Sequence, residues 1–296
     1  MCEAMALPGE AYSFGGELLK KQSVDWTGGE ALVFDRRGHG ERTDFRQRLN
    51  RHAIALHAAG ANTRMSVRRD GGAQQTTGGS LGQVMLLPAH HAIEGWSDFP
   101  ENFRHVVVLI ETAMLDEMID DEKPRGRVAL CYRHDLGDGA IAGRLHELQA
   151  ELDHPGLMGR LYVESLCCEI AVRTARAQAG APPAAVARGG LTPKRLRLVK
   201  DYIEANLVNE ITLSDLAGIA GVSYAHFCRA FHASMGMASH QYILRRRIEL
   251  AKDLLATSKL PIAEIAPTVG FGDQSHLTKH FRRIVGTTPR QFRNAA

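Results

Sequence analysis

The last third of the chain contains one pattern twice, and this repeat constrains the fold more than any other feature of the sequence. The copies at 213–242 and 261–293 keep one register, with an offset of 49 residues that becomes 50 after a single insertion. Such a register indicates one supersecondary unit used twice. The matched pairs include Ala217 and Ala266, Gly221 and Gly270, Arg229 and Lys279, Phe231 and Phe281, and Gly236 and Gly286.

In the second copy, a short helix, a glycine turn and a longer helix are predicted to follow one another. Pro261 stands before apolar residues at helical spacing, where its missing N–H costs the helix nothing. The run Gly270-Phe271-Gly272 interrupts this spacing. Asp273 can then accept the free amide protons of a new helix that begins with Gln274. The sequence therefore predicts two helices joined by a turn.

The longer helix of this copy has two unlike faces. Leu277, Phe281 and Ile284 fall on one side, which is predicted to face the core. Amide, hydroxyl and cationic side chains on the other side suit base edges and phosphates in a major groove. The alternative is an ordinary solvated face, because surface helices usually carry one. The residues of this outer face are Gln274, Ser275, Thr278 and Lys279, with Arg282 and Arg283 near the helix end.

The segment between the copies is predicted to be a single helix. Residues 239–257 carry apolar side chains at helical spacing and contain no Gly or Pro. A helix of this length extends about 28 Å. The longer helix of each copy is called here the reading helix. The connecting helix could hold the two reading helices about one DNA turn apart, roughly 34 Å, so that they enter successive major grooves.

These residues resemble the DNA-binding domain of the AraC/XylS family of bacterial transcription regulators. The resemblance covers residues 191–296 and implies two helix-turn-helix units, with a double-stranded DNA operator and RNA polymerase as partners. It also implies that Ala225, Cys228 and Arg229 of the first reading helix face the bases. The motif residues are Ile265-Ala266, Gly270-Phe271, Asp273-Gln274-Ser275, Phe281, Gly286, Pro289 and Arg293, and in the first copy Leu216-Ala217, Ser223, Phe231, Gly236, Arg247 and Leu254-Leu255.

Two features depart from an ideal pair of reading units. Pro267 lies inside the helix before the second turn, where it removes a backbone hydrogen bond and is expected to kink the segment. Ala225 and Cys228 are poor hydrogen-bond partners, so the first reading helix depends on Arg229 and on methyl contacts. We therefore expect the second reading helix to discriminate more strongly between DNA sequences.

Charge is distributed unevenly along the chain. Residues 191–296 contain 15 Lys or Arg against 8 Asp or Glu, whereas the remainder contains 21 against 25. Positive charge is thus concentrated where DNA reading is predicted.

No apolar run approaches the ~18 residues that span a bilayer, and the N-terminus has no signal pattern. These features predict a cytoplasmic protein without a membrane partner. The five cysteines form no CxxC pair and no zinc spacing, and their odd number in a cytosolic chain argues against a disulfide framework.

The front part of the chain predicts an antiparallel β-structure. Strands divided by Gly and Asn clusters are predicted from Ala31 onwards, at 31–37, 45–59, 64–69, 83–88, 103–110 and 127–132. The run 79–91, GSLGQVMLLPAHH, resembles the end of a cupin-type barrel, a domain that AraC-like regulators often carry as a ligand sensor. The predicted class is therefore α+β, with several domains. They are an N-terminal arm at 1–30, a cupin-like sensor barrel at 31–135, a helical hairpin at 136–178, a linker at 179–190 and the DNA-binding domain at 191–296.

A small-molecule effector is expected to bind in the mouth of the barrel. Its candidate contacts are Ile54, Leu56, Met85, Leu87 and, near the rim, Trp96, although each also fits a plain core position. Metal-binding cupins need several histidines and a carboxylate. The candidates here are His52, His57, His90, His91 and Glu94. The usual first His-x-His motif is absent, so no metal or other cofactor is predicted.

The helical hairpin predicted at 136–178 has an apolar stripe on each helix. The stripes can pack onto the barrel, or they can pair with the same hairpin of a second subunit to form a homodimer. The resemblance favours the homodimer. The linker 179–190, AGAPPAAVARGG, would let paired subunits address operators of different spacing.

The sequence thus predicts a DNA-binding transcription regulator that responds to a small molecule, with activation as the commoner behaviour of the family. The competing reading is a metal-dependent cupin-type enzyme with a DNA-binding appendage. The sequence has no GxSxG, HExxH or GxxxxGK motif, so no catalytic residue is predicted.

Overall fold

The computed structural model describes residues 11–13, 16–60, 64–122, 130–153, 159–179 and 190–295. These residues form two compact units. Unit 1 is drawn from 1–153 and 170–183, and unit 2 from 154–169 and 184–296. The division passes through the helix at 159–179, so the segment 136–178, predicted as a helical hairpin, contributes to both units. Nearly all of the predicted linker, 179–190, lies outside the described residues.

Unit 1 contains two five-stranded antiparallel sheets. The strands in chain order are β1 (Ala11–Ser13), β2 (Glu17–Trp26), β3 (Gly29–Arg37), β4 (Arg42–Arg48), β5 (His52–Ala59), β6 (Met65–Arg69), β7 (Gln75–Thr77), β8 (Val84–Leu87), β9 (Ala92–Asp98) and β10 (Phe103–Ile110). One sheet has the order β2-β3-β10-β5-β8, and the other has the order β1-β4-β9-β6-β7. The predicted antiparallel region is thus confirmed.

Strand β10 shows why its sequence is apolar almost throughout. It lies between β3 and β5 in the centre of its sheet. Val106 and Val108 are fully buried on one face, while Val107 and Leu109 are buried on the other. An unbroken apolar run is what a strand covered on both faces requires.

The structure corrects several expectations for unit 1. The segment 17–30 is not a loose arm, because it forms β2 and the start of β3. The run 45–59, expected as one strand, is divided into β4 and β5, which belong to different sheets. Strands β7 and β9 were not predicted. The strand expected at 127–132 lies partly outside the described residues; the bridge that is present joins Arg133 to Leu86.

Two helices follow the sheets in unit 1: α1 (Thr112–Glu122) and α2 (Gly139–Asp153). The apolar stripe of α2, with Ile141, Leu145 and Leu148, is fully buried. This helix packs on β10, β2, β3 and β5. Arg104 of β10 also donates a 2.8 Å hydrogen bond to Asp153 at the helix end. The stripe of α2 is therefore covered by the sheet of its own chain, which was the first of the two alternatives.

Helix α3 (Gly159–Ala179) belongs to unit 2 as far as Glu169 and to unit 1 from Ile170. The remaining helices of unit 2 are α4 (Pro193–Ala205), α5 (Leu213–Ala220), α6 (Tyr224–Met235), α7 (Ser239–Thr257), α8 (Ile262–Thr268), α9 (Gln274–Val285) and α10 (Pro289–Ala295). The predicted boundaries of α7 are confirmed. None of the described helices combines the length and the apolar character needed to cross a membrane.

Glycines with positive φ end the helices of both repeats. Gly221 follows α5 with φ of 62°, and Gly270 precedes α9 with φ of 83°. Gly236 and Gly286 end α6 and α9 with φ of 68° and 87°. Because side chains with a Cβ rarely adopt this conformation, the repeated glycines mark the repeated turns.

A buried arginine ties α7 to the surrounding turns. Arg247 is 3% exposed, and its guanidinium donates hydrogen bonds to three backbone carbonyls: those of Leu207 (2.6 Å), Asn209 (2.9 Å) and Gly270. The last of these carbonyls lies in the turn before α9. The connecting helix and this turn are therefore held together by one side chain.

Candidate nucleic-acid interface and ligand cavity

Helix α9 presents the two faces that its spacing predicts. Leu277 and Phe281 are fully buried, whereas Ile284 is only half-buried. The opposite face is exposed and lines one open depression in unit 2, formed by Gln274, Ser275, Thr278, Lys279, Arg282, Arg283 and Thr288. This face therefore offers amide, hydroxyl and cationic groups together.

The start of α9 is fixed by its cap. The Asp273 carboxylate accepts a 2.8 Å hydrogen bond from the backbone N–H of His276, as predicted. The Thr278 hydroxyl donates to the backbone oxygen of Gln274 at 2.7 Å. That hydroxyl therefore keeps acceptor capacity for an outside donor.

The two histidines of α9 do not contribute charge to this surface. Burial, and then the neighbouring His276, lower the pKa of His280 to about 3. Burial also lowers the pKa of His276. The two rings lie 4.6 Å apart, and Phe271 packs against both of them. The positive charge on this helix at neutral pH therefore comes from Lys279, Arg282 and Arg283.

Pro267 lies inside α8, as the sequence predicted. The helix ends one residue later, at Thr268. The backbone N–H of Phe271 donates to the Ala266 oxygen at 2.9 Å, which closes the turn towards α9. The proline is thus accommodated in the last turn of a short helix.

Helix α6 is arranged differently from α9. Ala225, expected to face bases, is 1% exposed and therefore does not lie on an open surface in this structure. Cys228 and Arg229 are half-buried, and the Arg229 Nε atom donates to the Ala225 backbone oxygen at 3.2 Å. Local spacing could not reveal this difference, because both helices follow the same pattern.

A cavity of about 90 Å³ lies in unit 1, lined by residues from both sheets. Its walls are mostly apolar, and its polar lining residues are Lys21, Arg36, Gln47, His57, His105 and Tyr132. The His57 and His105 rings lie 4.3 Å apart in an edge-to-face arrangement. Burial lowers the pKa of His57 to about 4 and that of His105 well below its ordinary value, so both imidazoles are neutral at pH 7.

The strand register corrects the predicted ligand contacts. Met85 and Leu87 line the cavity, opposite Ala55 and Ala53 of β5. Ile54 and Leu56 pair with Leu86 and Val84 instead, so they face the other side of the sheet and are fully buried there. The inward residues of β5 are Ala53, Ala55 and His57.

Trp96 also lies away from the cavity. Ile93 of the same strand, β9, faces inward, and Trp96 lies three residues further along the strand. Side chains an odd number of residues apart point to opposite faces of a strand. The Trp96 ring instead lies 5.0 Å from the Arg42 guanidinium carbon.

The five candidate metal ligands have separate surroundings. The Nδ1 atom of His52 accepts from the Ala89 backbone N–H at 2.9 Å, whereas His57 faces the cavity. His91 pairs with Asp70 at 2.6 Å, and Glu94 pairs with Arg68 at 2.6 Å. His90 is exposed, with φ of 67°. Within the described ranges, no group of three or more His, Cys, Asp or Glu residues is placed to hold a metal ion.

Comparison with known proteins finds similarity to transcription regulators. A family profile described as a helix-turn-helix domain matches residues 216–295. The transcriptional activator AarP of Providencia stuartii is 36% identical over 92 residues, which are 31% of this chain and 68% of that protein. A putative AraC-like transcription regulator of Streptomyces antibioticus is 28% identical over 156 residues, 52% of each chain.

The DNA-binding domain of AdpA, solved in complex with a target DNA, is 32% identical in sequence to the matching part of this chain. The alignment covers 34% of this chain and 91% of the AdpA domain, with a TM-score of 0.33. The chain spans only 38%, 57% and 52% of three of the curated relatives that it matches, so their similarity covers a part of each protein. The repeated helix pairs, the matching profile and the AarP relationship together establish the family. The chain belongs to the AraC family of transcriptional regulators.

Proposed function

We propose that this chain is a sequence-specific regulator of transcription, an activator, that reads a double-stranded DNA operator and responds to a small molecule. The observation that carries the proposal is the outer face of α9. There, polar and cationic side chains are exposed, and the other side of the helix is fixed in the core of unit 2. A rigid helix with hydrogen-bonding groups on one face fits the major groove.

The side chains of α9 divide into two roles. Gln274, Ser275, Thr278 and Lys279 lie in the first turns and supply base contacts. Arg282 lies near the helix end and supplies a phosphate contact, which positions the helix without reading sequence. Arg229 supplies the corresponding cation on α6. Ala225 and Cys228 remain proposed base-facing residues only for a conformation in which the face of α6 is open.

We propose that the two helix pairs, α5 with α6 and α8 with α9, act as two helix-turn-helix units. Helix α7 connects them and contains 19 residues. Its length of about 28 Å suits the placement of the reading helices α6 and α9 in successive major grooves about 34 Å apart. The Arg247 hydrogen bonds to the turn before α9 support a stiff connection.

We propose that the two sheets of unit 1 form a cupin-like sensor domain, and that the small-molecule effector binds in the cavity between these sheets. Both ring nitrogens of His57 are buried and have no hydrogen-bond partner among the described residues. Their neutral state lets the ring donate to an oxygen or accept from a hydroxyl. The apolar walls and the small volume then favour a small, largely apolar molecule with one hydrogen-bonding oxygen.

A panel of matched ring compounds tests the effector site. We expect phenol to raise the melting temperature of the protein more than benzene does, because only phenol can bond to His57. This difference should disappear in the His57→Phe variant, in which the melting temperature without compound serves as the control for folding. Equal shifts for both compounds in the wild type would contradict the proposed role of His57.

Two partners complete the proposal. A homodimer would bring two DNA-binding units to one operator, and RNA polymerase would be the target of activation. The stripe of α2 does not serve the dimer, because the sheet covers it. Light scattering at micromolar concentration tests the pairing, and a monomer both with and without DNA would argue against it. DNA binding places the proposed activity in the cytoplasm.

The central experiment selects duplexes from a random pool with the full chain. The selected operator is then bound by Gln274→Ala and Lys279→Ala variants in competition with altered operators. Each lost base contact should reduce discrimination by about 1–3 kcal/mol at one base position. Glu249→Ala on α7 is the control, because its side chain pairs with Lys252 at the surface and makes no proposed DNA contact. Unchanged selectivity of both α9 variants would overturn the assignment.

A further inference from the structure

The two reading helices differ in what lies over their corresponding faces. At the repeat offset of 50 residues, Ala225 corresponds to Ser275 and Cys228 to Thr278. Ser275 is exposed, whereas Ala225 is 1% exposed. The two helices share one local pattern, so the difference must come from a segment that packs on α6.

That segment is the first half of α3, residues 159–169, which belongs to unit 2. The Tyr224 hydroxyl of α6 donates to the Glu164 backbone oxygen at 3.3 Å. One turn further along α3, the Cys168 thiol lies beside the Cys228 thiol of α6. Burial, and then this contact, raise the pKa of the Cys168 thiol well above its usual value. Two successive turns of α3 therefore contact α6.

A buried carboxylate anchors this packing. Glu164 is 1% exposed, and its Oε2 atom accepts a 3.1 Å hydrogen bond from the backbone N–H of Leu213, the first residue of α5. The Oε1 atom lies 3.5 Å from the Arg160 Nε atom. A helix N-terminus carries partial positive charge, so it is a favourable place for a carboxylate. A carboxylate without such partners would be costly to bury.

An aromatic side chain extends the same contact to the second repeat. Tyr162 is 6% exposed, and its ring centroid lies 5.0 Å from that of His240 on α7 and 6.2 Å from that of His280 on α9. Both contacts are edge-to-face. They involve the buried side of α9, so its outer face stays open while α6 is covered.

We propose that residues 159–169 are a cover that occupies the DNA-reading face of α6, and that the operator and this cover compete for it. The inference rests on the proposed DNA-binding function. The structure then holds the first reading helix closed and the second open. Because apparent affinity falls with the fraction of molecules in the competent state, the cover reduces affinity for an operator that uses both helices.

A matched pair of variants tests the competition. Glu164→Ala removes the acceptor of the Leu213 N–H, and we expect the full chain to bind the selected operator about tenfold more tightly. Its footprint should reach the base pairs that contact α6. Glu164→Gln keeps an oxygen acceptor at the same place, so its affinity should stay within about twofold of the wild type. Circular dichroism establishes that both variants are folded.

Thiol labelling tests the same inference in the wild-type chain, so it does not depend on the folding of a variant. Cys168 belongs to the cover and is 2% exposed in its packed position, whereas Cys131 is exposed. We expect operator DNA to speed the reaction of N-ethylmaleimide with Cys168 at least about tenfold. The rate at Cys131 should not change, which makes this residue the internal control.

The outcomes separate the two proposals. If operator DNA is footprinted at both reading helices while Cys168 stays protected, the cover inference is wrong and DNA binding stands. If the folded Glu164→Ala variant binds the operator no more tightly than the wild type does, the cover inference is likewise wrong and DNA binding stands. If the folded wild type selects no duplex at all, the proposed function itself is wrong.

Discussion

Replacing the buried Arg247 by methionine tests how unit 2 is held together. The substitution keeps an unbranched side chain but removes the hydrogen bonds to the carbonyls of Leu207, Asn209 and Gly270. These carbonyls belong to the chain after α4 and to the turn before α9. The substitution therefore disconnects the central helix α7 from two neighbouring segments.

The magnitude follows from two opposing contributions of Arg247. Hydrogen bonds from a charged donor contribute about 1.5–3 kcal/mol each, so three contribute roughly 4–9 kcal/mol. Burial lowers the pKa of Arg247 to about 10 from 12.5. At 1.36 kcal/mol per pKa unit, this shift corresponds to a desolvation cost of roughly 3 kcal/mol. The difference favours the arginine, and we expect Arg247→Met to lower the free energy of unfolding by about 3 kcal/mol.

The neighbouring residue provides the matched control. Arg246 pairs with Glu204 at 2.6 Å, but both side chains are about two-fifths exposed. An exposed pair contributes about 0–1 kcal/mol, so Arg246→Met should change stability by no more than this.

The assay is urea unfolding of the full chain. Far-UV circular dichroism follows the helices. Both tryptophans, Trp26 and Trp96, lie in unit 1, so their fluorescence reports that unit separately. The helical transition should shift in Arg247→Met while the fluorescence transition stays in place. Equal effects of the two arginine substitutions would refute the reasoning.

Two further predictions concern a turn and the response to acid. Gly270→Ala should destabilise unit 2 by more than Gly286→Ala. Both glycines have positive φ, but a Cβ on Gly270 would lie 2.7 Å from the Arg247 guanidinium carbon, whereas the position at Gly286 is open. Urea midpoints of the two variants check this, and equal losses would contradict it. Acid should weaken unit 1, because burial lowers the pKa of His52 and of His57 to about 4 from 6.5. The unfolded chain takes up protons below pH 6.5 that the folded chain does not bind until about pH 4, so stability is lost across that window. At pH 5 each histidine should cost about 2 kcal/mol. Fluorescence-detected unfolding at pH 7 and pH 5 measures the loss, and a His57→Phe variant should lose less.

Much of unit 2 could be predicted from the sequence because its determinants are local. Asp273 caps α9 through a residue three positions away, and Gly270 and Gly286 mark turns by their own backbone conformation. The buried and exposed faces of α9 follow from spacing alone, since neighbours on a helix face are three or four residues apart. The same reasoning predicted the bounds of α7.

The sheets of unit 1 were harder to predict, because strand pairing joins distant residues. Strand β5 is apolar on both faces, so its alternation could not show which face would meet the other sheet. Pairing with β8 decided that Ala53, Ala55 and His57 line the cavity, and that Ile54 and Leu56 do not. Strand β2 was missed because its exposed, polar residues resemble those of a loop.

Sequence alone determined that this chain carries two turn-linked helix pairs and a cationic face on α9, because helices and caps depend on residues a few positions apart. Only the tertiary structure decided that α6 differs from α9. Glu164 lies 49 residues before Leu213 and 60 before Tyr224, yet it contacts both. Contacts over such separations depend on the packing of whole helices, which local periodicity does not specify.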